Sequence, residues 1–121
     1  MIKTLALIAH DHQKDKLIDF AKRNFKELSA LKLYATGTTA KRLAQIGLTN
    51  ITAVASGPLG GDLQIGSLIV ENKIDGMIFL WDPLSPQPHD VDVKALLRIA
   101  VLKNIFLASN LKSAESLIHH L

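Results

Sequence analysis

Several short stretches of this chain hold the residue types that chemistry requires. Ser56-Gly57-Pro58-Leu59-Gly60-Gly61-Asp62 places three glycines, a proline and a hydroxyl ahead of a carboxylate. Glycines let a ligand approach the backbone, so several N–H groups can converge on one anion, with Asp62 at the mouth as a base. Thr36-Gly37-Thr38-Thr39 offers three hydroxyls and the free N–H groups of a helix start, a cradle for phosphate oxygens. Lys14 can add a positive charge there. His10-Asp11-His12 invites a metal, and His89, set between prolines and acids, can donate from a neutral imidazole to a carbonyl oxygen. An anion cradle, a carboxylate and one or more histidines suit proton abstraction beside a carbonyl, with no cofactor.

Each piece has a plainer alternative. Asp62 and the threonines can be ordinary helix N-caps, Lys14 an exposed helical lysine, and His89 a surface histidine. A zinc site is not expected, because the chain has no cysteine and His10 and His12 lack a well-spaced third ligand. A G-x-S-x-G elbow, a Walker loop and a dinucleotide fingerprint are all missing from the sequence.

The elements that must position these residues alternate between strand and helix. Residues 3–9, 31–35, 51–55, 75–81 and 105–109 read as short apolar strands. Residues 75–81 form the most hydrophobic of them and are expected at the centre of the sheet. Residues 11–28, 38–46, 63–72, 92–103 and 113–120 read as helices. In the first, Leu17, Ala21, Phe25 and Leu28 share a face; in the fourth, Val93, Leu96, Leu97, Ala100 and Val101 face inward. Gly47 closes the second helix. Residues 82–91 contain three prolines and are irregular. Five strands separated by helices, with no hairpin signals, predict an α/β fold: a three-layer α/β/α sandwich on a five-stranded, mainly parallel sheet. Ligands bind such sheets beyond the carboxyl ends of the strands. That is where His10, Thr36, the glycine loop, Asp82 and Asn110 fall.

Composition narrows the function classes. The 121 residues are read as one domain, residues 1–121, with a core large enough to stand without staples. The absence of cysteine fits a cytoplasmic protein. No apolar run reaches the roughly 18 residues of a membrane span, and the chain enters a strand at once, so neither a span nor a signal peptide is expected. The net charge of +3 is spread over lysines interleaved with acids, and the few aromatics form no stacking pattern. A nucleic-acid partner is therefore not expected, and a small anionic ligand is.

His10-Asp11-His12, Ala35-Thr36-Gly37-Thr38-Thr39, the glycine loop ending in Asp62, Trp81-Asp82-Pro83 through Pro88-His89-Asp90, and Asp92-Val93-Lys94-Ala95-Leu96-Leu97-Arg98 resemble the methylglyoxal synthase family. The motifs occur in order, with family-like spacing, over nearly the whole chain. The resemblance implies a methylglyoxal synthase-like, Rossmann/flavodoxin-like fold. It also implies conversion of dihydroxyacetone phosphate to methylglyoxal and inorganic phosphate without a metal or other cofactor. Asp62 is then similar to the family's catalytic base and His89 to the group that binds the substrate oxygen. His10, Lys14, Thr36, Gly37, Thr38, Thr39, Ser56 and Gly57 match substrate and phosphate contacts, and Asp11, Asp82 and Asp92 match supporting acidic positions.

The resemblance further implies a homohexamer, inhibition by inorganic phosphate, and a place in a glycolytic bypass. Leu84, an apolar residue carried on the stiff proline loop of residues 82–91 next to Trp81, independently suggests a contact surface, the alternative being that Trp81 and Leu84 roof the pocket within one chain. The alternative reading is a non-catalytic regulatory phospho-ligand-binding domain of the same fold. Such domains keep mainly the threonine turn and do not need Asp62 together with His89. Two departures stand out. Ala40 replaces a glycine common in the family, and the last arginine is Arg98, where relatives commonly carry one near the C-terminus. Cooperative phosphate control through that arginine is therefore not expected.

Overall fold

A computed structural model describes residues 2–56, 60–84 and 93–119. Five strands, β1 (Thr4–Ala9), β2 (Lys32–Thr36), β3 (Ile51–Val54), β4 (Gly76–Leu80) and β5 (Phe106–Ala108), pair in the order β3-β2-β1-β4-β5. All four pairings are parallel. The helices are α1 (Lys14–Arg23), α2 (Phe25–Ser29), α3 (Gly37–Gln45), α4 (Gly61–Val70), α5 (Val93–Leu102) and α6 (Leu111–His119), with a 3-10 turn at Asp11–Gln13.

The alternation of side chains along each strand divides the core in two. Leu5, Leu7, Leu33, Ile78 and Leu80 pack with Leu17 and Phe20 of α1, Leu43 of α3 and Ile118 of α6. From the other face, Ala6, Ile8, Met77 and Phe79 meet Ile65 and Ile69 of α4 and Leu96 and Ala100 of α5. Both faces are covered, so the inner strands read as unbroken apolar runs. The α/β/α sandwich is thus as the sequence predicts.

Three details depart from that reading. β1, not β4, is the middle strand, and β4 lies between β1 and β5. Both are buried on two faces, so hydrophobicity alone does not rank them. The first helix is interrupted at Asn24, whose backbone leaves helical geometry at φ −116°, ψ 30°. Its side chain donates to Phe20 O at 2.9 Å and to Glu115 Oε2 at 3.2 Å, tying the break to α6. Phe25 and Val101 are surface residues rather than core, Val101 being 74% exposed.

The helix ends keep β-strand entry short. Gly47, at φ +108°, follows α3, with Gly47 N donating to Ala44 O and Leu48 N to Leu43 O, the two bonds of a Schellman cap. β1 and β4 are fastened at both ends. Asp75 accepts the N–H groups of Lys3 and Thr4 at one end, and His10 N donates to Leu80 O at the other. This second bond sets the height of the site.

Candidate functional site

The sheet reverses its build direction at β1, with β2 and β3 on one side and β4 and β5 on the other. A parallel sheet opens a crevice at such a point, beyond the carboxyl ends of the strands. His10 and Asp11 follow β1, Thr36 ends β2, Ser56 follows β3 and Asp82 follows β4. Lys14 begins α1, Gly37, Thr38 and Thr39 begin α3, and Asp62 lies in the first turn of α4. Every described site residue read from the sequence is therefore at this edge. Gly57, His89 and Asp92 lie outside the described residues.

The threonine turn leaves polar groups unused at the start of α3 among the described residues. Thr36 occupies the N-cap position of α3 but makes no side-chain cap bond, so the helix start keeps its N–H groups. Thr39 is 1% exposed, and its hydroxyl has no hydrogen-bond partner among the described residues. Such a buried hydroxyl is uncommon in a folded protein and costs stability. Here it shares a helix terminus whose dipole favours negative charge.

The glycine loop leans on that turn. A Cβ at Gly37 would lie 2.9 Å from Ser56 Cβ, so only glycine lets β2's exit touch β3's exit. The loop is closed by Gly61 N donating to Ser56 O at 2.9 Å, and Gly60 takes the left-handed conformation at φ +95°. Gly60, not Asp62, is therefore the N-cap of α4, which corrects the plainer alternative for Asp62. Asp62 is half-buried and has no hydrogen bond or ion pair among the described residues. A residue that the sequence reading missed is Gln64, whose Oε1 accepts Ala55 N–H at 2.7 Å and pins the end of β3. Nothing in a helical glutamine signals that role.

Across the crevice, Lys14 Nζ donates to Asp11 Oδ1 at 2.7 Å. This bond holds the Asp11 carboxyl below the usual range. The Asp82 carboxylate accepts Leu84 N–H at 2.9 Å and faces His12 Nδ1 at 3.0 Å; chiefly the Leu84 N–H, then His12, lowers its pKa. Glu115, bonded to Arg23 on α1, is lowered likewise. Groups with depressed folded pKa values stabilise above their unfolded pKa and stop doing so as pH falls through the folded one. Asp11, Asp82 and Glu115 therefore favour the fold throughout the neutral range. The thermal midpoint is expected to stay level from pH 7 to about 5 and to fall below about pH 4. A titration followed by circular dichroism tests this, and a midpoint that rises on acidification would contradict it.

The chain is similar to known proteins over nearly its whole length. An MGS-like domain model matches residues 16–109. The chain is 52% identical over 118 residues to a methylglyoxal synthase of Pseudoalteromonas atlantica, spanning 98% of this chain and 87% of that protein. It belongs to the methylglyoxal synthase family. Another member, the methylglyoxal synthase of Proteus mirabilis, is 51% identical over 116 residues, covering 96% of this chain and 76% of the relative. The crystal structure of the family's member from Elizabethkingia anophelis NUHP1 superposes with a TM-score of 0.91 at 44% identity, over 96% of this chain and 76% of that one. Among the described residues, no helix is long and apolar enough to cross a membrane.

Proposed function

We propose that this chain is a cytoplasmic methylglyoxal synthase, a carbon–oxygen lyase that converts dihydroxyacetone phosphate to methylglyoxal and inorganic phosphate. The observation that carries this reading is the Asp62 carboxylate, which has no hydrogen-bond or ion-pair partner among the described residues and lies in the first turn of α4, next to a loop whose Ser56 abuts the start of α3.

The phosphate is held by Thr36, Gly37, Thr38 and Thr39 with Ser56 and Gly57, and Lys14 supplies the charge, kept in place by Asp11. His10 contacts the substrate, and Asp82 and Asp92 support the surrounding polar shell. Asp62 takes a proton from the hydroxymethyl carbon, and the C–H electrons pass to an enediolate. His89 donates a hydrogen bond to its oxygen, a contribution on the order of several kcal/mol. The enediolate's electrons then break the carbon–oxygen bond to phosphate. The resulting enol takes a proton at the carbon that lost the ester, giving methylglyoxal, and Asp62 releases the proton it took. An isomerase sharing the first step would instead reprotonate the neighbouring carbon.

Purified protein is expected to release methylglyoxal from dihydroxyacetone phosphate, trapped and measured with and without a chelator, at equal rates. Absence of product would overturn the reading.

The same cradle admits free phosphate, which is expected to inhibit. Thr39→Val removes the hydroxyl that has no partner among the described residues, while keeping shape. The variant is expected to be as stable as the parent or slightly more so, whereas KM and the phosphate inhibition constant both rise about tenfold. A clear loss of stability with unchanged KM would take Thr39 out of the cradle. For assembly, we propose the homohexamer: Leu84 is 91% exposed beside the site, an apolar side chain that a neighbouring copy would cover. Sedimentation at micromolar protein tests this, and a fully active 13.2 kDa monomer would refute it.

A further inference from the structure

His12 lies two residues beyond the proposed substrate contact His10, and the two are joined through one residue. Asp82 N–H donates to His10 Nδ1 at 3.1 Å. A backbone N–H can only donate, so this Nδ1 accepts, and the ring's proton lies on Nε2. The peptide group of Asp82 thus selects the tautomer of His10. That same ring packs edge-on against Phe79 at 5.5 Å between centroids, which fixes its plane.

The Asp82 side chain is itself tied down on two sides. The carboxylate, 8% exposed, accepts Leu84 N–H at 2.9 Å through one oxygen and bonds His12 Nδ1 at 3.0 Å through the other. The Leu84 bond is local, two residues along the same loop. Among the described residues, the His12 bond is the one side-chain link from that carboxylate back to the β1 side of the crevice. Asp11, bonded to Lys14, is the neighbouring acid on His12's own turn, and Asp82 is the acid that faces it across the crevice.

We infer that His12 is a positioning residue for His10, acting through Asp82: it anchors the carboxylate so that the Asp82 N–H stays on His10 Nδ1 and His10 presents Nε2–H to the substrate. This rests on the reading of His10 as a substrate contact in the synthase reaction. His12 itself touches no reacting atom. Its side chain is 66% exposed, so the bond is partly screened and the expected effects are moderate.

The test uses the whole 121-residue chain with ¹⁵N-labelled histidine. In the parent, His10 is expected to show Nε2 protonated and Nδ1 bare. His12→Ala is expected to blur this pattern toward tautomer exchange and to lower kcat about five- to tenfold, with KM changed less than twofold. His12→Asn, whose side-chain amide offers a donor at nearly the same position as Nδ1, is expected to recover the tautomer pattern and most of the rate. A His10 spectrum and kcat unchanged in His12→Ala would overturn the inference, as would a His12→Asn no better than alanine. If the parent makes no methylglyoxal, the proposed function fails, and the tautomer spectra still decide the link between His12 and His10.

Discussion

Asp62→Asn is expected to fold as the parent does and to lose about 10²–10⁴ of kcat, the scale for removing a general base. Asp62 lies in the first turn of α4 and makes no hydrogen bond or ion pair among the described residues, so the amide breaks nothing in the fold. Only the favourable interaction of a carboxylate with the helix start is lost, about 0.5 kcal/mol. KM is expected to change by no more than a few-fold, because the phosphate is held by the separate start of α3. Steady-state kinetics beside a thermal melt separates the two effects. More than half the parent kcat in a well-folded variant would remove Asp62 from the chemistry.

Gly61→Ala is expected to be the most damaging small substitution. An added Cβ would lie 1.8 Å from Ala55 O and 2.8 Å from its carbonyl carbon, both backbone atoms that cannot swing aside. Either the end of β3 or the start of α4 must move. Overpacking of this kind costs about 3 kcal/mol or more, and the displaced helix carries Asp62 with it, so activity falls with stability. Gly60→Ala is the contrast. Nothing lies within 4 Å of a Cβ there, and the penalty comes only from the left-handed backbone at φ +95°, about 1–2 kcal/mol. Denaturant melts of both variants check the order, and a Gly61→Ala protein as stable as Gly60→Ala would contradict the packing described.

Much of the architecture was legible because parallel strands covered on both faces must be apolar throughout, and because their connecting helices begin with polar punctuation. The break at Asn24 was not legible. It depends on Glu115, ninety-one residues away, receiving the asparagine side chain. Nor does hydrophobicity tell β1 from β4, since both are fully enclosed. At the site, sequence spacing placed the threonine turn, the glycine loop and the two acids Asp62 and Asp82 at one edge. It could not show that Gly37 touches Ser56, that Gly60 rather than Asp62 caps α4, or that Asp82 joins His10 to His12. Those facts are distances between segments that lie far apart in the chain.

The central claim is elimination from an enediolate rather than isomerisation or mere binding. ³¹P spectra of dihydroxyacetone phosphate mixed with the protein, with methylglyoxal trapped from the same sample, test it most directly. The ester resonance is expected to give way to inorganic phosphate in equal amount to trapped methylglyoxal. Conversion to glyceraldehyde 3-phosphate, or an ester signal that persists unchanged, would contradict it.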